Sequence, residues 1–211
     1  MDLSVCEITK RFKSRTILED ISFDVGPREL VSIVGPSGGG KTPLLKIIAQ
    51  LDRPDAGVVN FSPPPTKKHP VIIVFQDYVL FPAMTVRSNI GFGLRARKME
   101  KQQIGFQVDR MLDYFQLADM GEHYPSQLSA GQKQRVAIAR GLMNQPDVLL
   151  MDEPTGNLDR KSGEDLMGIL NEIRSRRTLS VVMVTHNEAL ARRAGRVGTL
   201  RDGCIEMEDH P

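Results

Sequence analysis

Hydrophobic and polar positions follow two rhythms along the chain. Four short runs, "ELVSIVG" (29–35), "VIIVF" (71–75), "VLLMD" (148–152) and "LSVVMVT" (179–185), are apolar almost without a break and rich in β-branched residues. Such runs predict strands buried on both faces, and helical stretches between them predict a parallel sheet with helices on either side. "LLKIIAQL" (44–51) is one such helix. Segments 3–9 and 16–25 alternate more regularly and predict an antiparallel β appendage. "TLRDGCIEM" (199–207) predicts a closing hairpin that turns at Asp202-Gly203.

The middle of the chain differs. From about 85 to 143 no stretch has strand character. Ile104, Val108, Met111, Leu112 and Phe115 recur at helical spacing and predict an amphipathic helix packed on a core. Val136, Ala139, Leu142 and Met143 predict a second, beginning just after "LSAGQ". The expected organisation is one α/β domain over 1–211. Residues 1–84 and 144–211 form its core with the β appendage, and 85–143 form an inserted helical subdomain. "SPPPTKKHP" (62–70) predicts a rigid surface loop.

Composition narrows the function classes. The 211 residues are 40% hydrophobic and 26% charged, with a net charge of +2. That balance gives no electrostatic footprint for nucleic acid or an anionic membrane surface. The longest apolar runs, about five or six residues, are far short of a spanning helix. The first twelve residues lack the pattern of a secretory signal. A soluble chain is expected, with any membrane role carried by a partner. Cys6 and Cys204 alone make no disulfide framework.

The chemistry gathers at "GPSGGGKTP". It fits G-x-x-x-x-G-K-[ST], with Gly35, Gly40, Lys41 and Thr42 in the required places. It lies between a predicted strand and a predicted helix, the context of a phosphate-binding loop. Glycines let backbone N–H groups turn inward to cradle phosphate oxygens, and the helix adds its positive end. Gly35, Pro36, Ser37, Gly38, Gly39, Gly40, Lys41, Thr42 and Pro43 are therefore the candidate nucleotide contacts. Lys41 can reach the outer phosphates and the Thr42 hydroxyl can bind Mg²⁺. At the end of the 148–152 run, Asp152 can orient the Mg²⁺ shell and Glu153 can polarise an attacking water.

"LSAGQKQR" (128–135) closely resembles the LSGGQ signature of ATP-binding-cassette proteins. The motif order is similar too: the phosphate loop, "VFQD" around Gln76, the signature, "LLMDEP", "GNLD" (156–159), and "VTH" ending at His186. The resemblance runs over essentially the whole chain and implies a P-loop NTPase fold with a helical subdomain. It implies ATP and Mg²⁺ as ligands, and two ATPase subunits packed head to tail. Ser129, Gly131 and Gln132 would then contact ATP held by the second subunit. Gln76 would touch the metal and report nucleotide state to transmembrane permease subunits. His186 would contact the γ-phosphate, Asp159 would couple the two sites, and Phe12 would stack on adenine. Taken singly, a histidine after a strand is an ordinary end-cap and a phenylalanine an ordinary core residue.

Two departures stand out. Ala130 replaces a signature glycine and adds only a methyl. Pro43 replaces the family's usual Ser or Thr, so it offers the α-phosphate neither N–H nor hydroxyl. Proline is tolerated in a first helical turn, but it is expected to push Thr42 away from helical angles. "DYVLFPAMTVRSNIGFGL" (77–94) is similar to importer ATPases for polyamines and small anions, whereas "EPTGNLD" and "THNEALA" are more similar to ATPases of lipoprotein release or macrolide export. The expectation is uptake of a small polar solute or anion, with a solute-binding protein as a further partner. Release or export is the alternative. The expected location is the cytoplasmic face of the membrane, with no extra C-terminal regulatory domain. A soluble phosphotransferase would explain the glycine loop but not "LSAGQ". A nucleic-acid-associated relative would need coiled coils or a second cassette.

Overall fold

The computed structural model describes residues 1–66, 70–156 and 158–209. Part of the 62–70 loop and Asn157 of the 156–159 motif lie outside the described residues. Two sheets organise the fold. The smaller is antiparallel, with β1 (Asp2–Phe12) between β2 (Arg15–Val25) and β4 (Ala56–Ser62). The larger has six strands: β5 (Val71–Val74), β6 (Val148–Asp152), β7 (Ser180–Thr185), β3 (Leu30–Val34), β8 (Arg196–Arg201) and β9 (Cys204–Asp209), in that spatial order. Its first five strands run parallel, and β9 folds back antiparallel on β8.

Every residue of β3, β6 and β7 is buried. Successive side chains in a strand point to opposite faces, and the two cores divide accordingly. Leu149, Met151, Val181 and Met183 join one cluster with helices α2 (Val86–Ile90), α3 (Phe92–Ala96), α4 (Lys101–Tyr114), α5 (Ala130–Leu142) and α6 (Arg160–Arg176). Val148, Leu150, Val182 and Val184 join the other, with α1 (Lys41–Ile48) and the antiparallel sheet. The continuous apolar runs are therefore sheet interior covered on both sides, as the pattern predicts.

Between β5 and β6 the described residues form only helices and turns. On α4, Ile104, Val108 and Leu112 are buried, and Phe115 just beyond is 0% exposed. The spacing-based core face is thus the real one. The hairpin at Asp202-Gly203 is also present, with φ of 50° and 84° at its two turn residues. It is not a separate appendage, because β8 pairs with β3 inside the main sheet.

Other elements depart from the pattern. β4 completes the antiparallel sheet, although most of its positions are exposed and only Val59 and Phe61 turn to the core. The first helix starts at Lys41 and stops at Ile48, not over 44–51. Thr42 is inside that helix, so Pro43 does not push it out of helical geometry. Pro43 is the third helical residue, where a backbone N–H has no intrahelical acceptor in any case. The first intrahelical bond runs from the Leu44 N–H to the Gly40 carbonyl at 3.0 Å. The pre-proline restriction on Thr42 is a preference, and Thr42 keeps helical geometry while its hydroxyl reaches Asp152. Among the described residues no helix is long and apolar enough to cross a membrane.

Candidate functional site

Three adjacent parallel strands, β6, β7 and β3, deliver the site from their carboxyl ends. β3 runs into the glycine loop, β6 ends at Asp152, and β7 leads to His186. Ligands in open α/β sheets bind at this edge.

The loop is shaped by close backbone approach. A side chain at Gly35 would meet the Leu200 carbonyl oxygen of β8 at 2.4 Å. Gly40 caps α1 with φ 98°, a left-handed conformation that side chains disfavour, and a Cβ there would lie 2.7 Å from the Ile17 carbonyl. Pro36, Ser37 and Gly38 are exposed along the loop, and Gly39 packs back on the Pro36 carbonyl. Lys41 is buried, and its ammonium donates to the carbonyls of Gly35 at 2.8 Å and Pro36 at 3.0 Å. It is also 3.8 Å from Glu153 Oε1.

Thr42 and Asp152 stand 110 positions apart yet touch. The Thr42 hydroxyl lies 2.9 Å and 3.1 Å from the two Asp152 oxygens, to which it donates. Asp152 is 5% exposed. Burial holds its carboxyl above the usual range; the Thr42 bond pulls the other way, and the negative Glu153 beside it pushes further up.

Glu153 follows with φ 47°, and its N–H donates to the Val184 carbonyl of β7 at 2.9 Å. One carboxylate oxygen accepts the His186 backbone N–H at 3.1 Å and faces His186 Nδ1 at 2.9 Å. An ionised carboxylate only accepts, so the ring proton belongs on Nδ1 and Nε2 stays open. Gln76, exposed after β5, comes close to Gly156, whose Cβ position would lie 3.7 Å from its Nε2 and 3.5 Å from the Glu153 Cβ. Lys41, Thr42, Gln76, Asp152, Glu153 and His186 thus form one neighbourhood.

The remaining candidates occupy other positions. Ser129 caps α5: its hydroxyl accepts the Gln132 N–H at 3.3 Å, and Gln132 Oε1 accepts the Ser129 N–H at 2.8 Å. A Cβ at Gly131 would contact Leu158 at 3.4 Å. Asp159 caps α6 through Ser162, whose N–H donates at 2.9 Å and hydroxyl at 2.7 Å, and these bonds hold its carboxyl below the usual range. Phe12 is no core residue: at the end of β1 it is 67% exposed.

One feature has no signal in the sequence. A cleft of about 630 Å³ runs from Gly35 and Pro36 past His186 to Thr199 and Arg201 of β8. Period-two alternation around the buried Leu200 places Thr199 and Arg201 on one face, but nothing in the pattern says that this face meets the phosphate loop.

The donor set fits a nucleotide with a hard cation. The loop turns through conformations that only glycine adopts freely, beside a buried ammonium. Thr42 and Asp152 supply oxygen ligands of the kind Mg²⁺ takes in small number when phosphates supply the rest. Among the described residues no cluster of three His, Cys, Asp or Glu side chains could hold a metal by itself.

A profile described as "ABC transporter" matches residues 18–156. The spermidine/putrescine import ATP-binding protein PotA of Chromobacterium violaceum is 41% identical over 99% of the chain and 60% of its own length. The sulfate/thiosulfate import ATP-binding protein CysA of Synechococcus elongatus is 39% identical over 99% of the chain and 62% of its own length. The chain thus spans about three fifths of these curated relatives. A dimeric ATP-binding cassette in a post-hydrolysis state, bound to ADP and Pi, superposes with a TM-score of 0.91 at 32% identity, covering 99% of both chains. With these likenesses added to the glycine loop, the "LSAGQ" cap and the Asp152–Glu153–His186 edge, the chain belongs to the ABC transporter family as an ATP-binding cassette.

Proposed function

We propose that the chain binds and hydrolyses ATP as one half of a head-to-tail pair, and that this cycle drives a membrane permease. The observation that carries the proposal is the Glu153 carboxylate, fixed through one oxygen by the ring and the backbone N–H of His186. Its other oxygen faces the Lys41 ammonium of the phosphate loop. A base held this way is aimed at the place where a γ-phosphate would sit.

Each residue then has a task. Lys41 exchanges the loop carbonyls for the outer phosphate oxygens. Glu153 takes the proton of the attacking water, whose oxygen bonds the γ-phosphorus as the bond to the β-phosphate oxygen breaks. His186 orients Glu153 through Nδ1 and offers Nε2 to the γ-phosphate. Thr42, Asp152 and Gln76 would hold Mg²⁺, which supplies charge neutralisation on the phosphate oxygens. Phe12, exposed at the strand end, offers a ring to adenine. Ser129, Gly131 and Gln132 would meet ATP in the second subunit, and Asp159 would link the two sites. The dimeric arrangement of similar cassettes supports the pairing.

For the solute, the similar import proteins for polyamines and for sulfate or thiosulfate support uptake of a small charged compound. Permease subunits and a solute-binding protein would be its partners, at the cytoplasmic face of the membrane. "EPTGNLD" and "THNEALA" favour the release or export alternative, and transport direction in reconstituted vesicles separates the two.

Glu153→Gln tests the chemistry. A general base contributes roughly 10²–10⁴-fold, so the variant should bind ATP, turn over that much more slowly, and double its mass by light scattering with ATP and Mg²⁺. Hydrolysis at the parent rate would remove Glu153 from the role. An unchanged mass would remove the pairing.

A further inference from the structure

The segment just after Gln76 holds an unusual backbone. Tyr78 has φ 61° and Val79 has φ 46°. They are the only adjacent non-glycine pair with positive φ among the described residues, and Val79 is the only β-branched residue in that state. A β-branched side chain is a true outlier there, and such a conformation persists only where its surroundings impose it.

Arg140, near the C-terminal end of α5, supplies the imposing contacts. Its guanidinium donates from Nη1 to the Val79 carbonyl at 2.8 Å and from Nη2 to the Tyr78 carbonyl at 3.2 Å. It also lies over the Phe81 ring, 5.4 Å from the centroid. Phe81 is pinned in turn: its N–H donates to Asn89 Oδ1 at 2.9 Å, and Asn89 Nδ2 donates back to its carbonyl at 3.1 Å. Asn89 is 0% exposed, so this anchor is rigid. No carboxylate lies within ion-pair distance of Arg140 among the described residues, and burial lowers its pKa. A desolvated guanidinium without a counter-ion is costly. Two carbonyls and a ring face are what hold it in place.

We propose that Arg140 is a positioning residue for Gln76: its fork locks the strained turn at Tyr78–Val79 and so fixes where the Gln76 side chain stands beside Gly156 and Glu153. The N-terminal end of the same helix carries the Ser129–Gln132 cap. One rigid helix therefore ties the "LSAGQ" end to the loop that bears Gln76. The inference rests on the proposed ATPase reading for its kinetic arm only.

The test uses the full chain with Arg140→Gln, Arg140→Lys, Val79→Gly and the double variant Arg140→Gln/Val79→Gly. Two readouts are taken: hydrogen exchange of amides 77–81, and kcat and KM for ATP. Arg140→Gln should speed exchange at 77–81 about tenfold and lower kcat about tenfold, with KM within about twofold; a tenfold change is about 1.4 kcal/mol. Arg140→Lys keeps the charge but loses the planar fork, so it should show the same split, more weakly. Glycine accepts positive φ without strain, so Val79→Gly should restore most of the protection and the rate in the Arg140→Gln background. Unchanged exchange in Arg140→Gln overturns the proposal. So does a double variant no better than Arg140→Gln. If Arg140→Gln does not fold, unchanged exchange and kcat in Arg140→Lys overturn it instead. If the parent hydrolyses no ATP, the ATPase reading fails, while the exchange arm still decides the role of Arg140.

Discussion

Replacing Thr42 with valine removes one hydroxyl and nearly nothing else. In the folded chain that hydroxyl is the side-chain partner of a carboxylate that is 5% exposed. One proton shared between two oxygens at 2.9 Å and 3.1 Å counts as one hydrogen bond to a charged acceptor, worth about 2 kcal/mol when the acceptor is left buried. For a domain of this size each kcal/mol moves Tm by roughly 2–4 °C, so a fall of about 4–8 °C is expected. The sign with pH follows from Asp152, whose carboxyl is held above its ordinary 3.8 by burial first. The folded state then keeps a proton that the unfolded state releases, so ionised Asp152 costs stability as pH rises from 3.8 through the raised value. The Thr42 bond offsets part of that cost. Thr42→Val should therefore trail the parent fully at neutral pH and converge towards it as pH falls through the raised folded-state values, before 3.8 is reached. Thermal unfolding of the nucleotide-free chain in chelator, from acid to neutral pH, measures this. Thr42→Ser should match the parent, and in the Asp152→Asn background the valine should cost much less. A loss that is independent of pH, or unchanged in that background, would mean that the Thr42–Asp152 pair does not carry the effect.

Pro43→Thr should cost no helical bond, since Pro43 sits where the N–H is unpaired, and should restore a donor to the phosphates. One such bond is worth roughly 1.5–3 kcal/mol, so calorimetric titration should find ATP bound at least about tenfold more tightly; equal dissociation constants would make Pro43 a neutral helix-start residue. Phe12→Ala should weaken ATP by about 1–3 kcal/mol, the range for a base stacked on an aromatic ring, and leave Tm unchanged because the ring is exposed. The same titration with a triphosphate lacking the base should show no difference between parent and variant.

The main sheet was legible because burial on both faces writes itself as unbroken apolar runs, and β6 emerged residue for residue. β4 was not legible. It pairs with β1 through backbone bonds, and only Val59 and Phe61 face the core, an alternation too short to stand out in the sequence. The start of helix α1 is hidden in the sequence for a related reason. Its first turn is made by Lys41, Thr42 and Pro43, which carry chemistry and caps instead of apolar spacing. Thr42 stays helical before Pro43 because the pre-proline restriction is a bias and not a bar.

The candidate site was easier to find than its supports, and the parallel sheet explains why. Parallel neighbours place their carboxyl ends side by side, so polar residues that follow buried strands collect at one edge however far apart they are in sequence. Asp152 and the glycine loop with Lys41 were therefore marked by strand ends, whereas His186 needed the motif order as well, since a histidine after a strand is by itself an ordinary end-cap. Arg140 has no such marker. An arginine on a helix among apolar residues reads as a solvated charge, and Tyr78 and Val79 read as ordinary loop residues. Their connection exists only because α5 packs across the end of β5, bringing a fork of donors to two carbonyls whose backbone no local sequence preference would choose. Strain that local preference opposes has to be imposed by a distant group. Where a β-branched residue is held at positive φ beside a reactive residue, the group holding it is the next one to test.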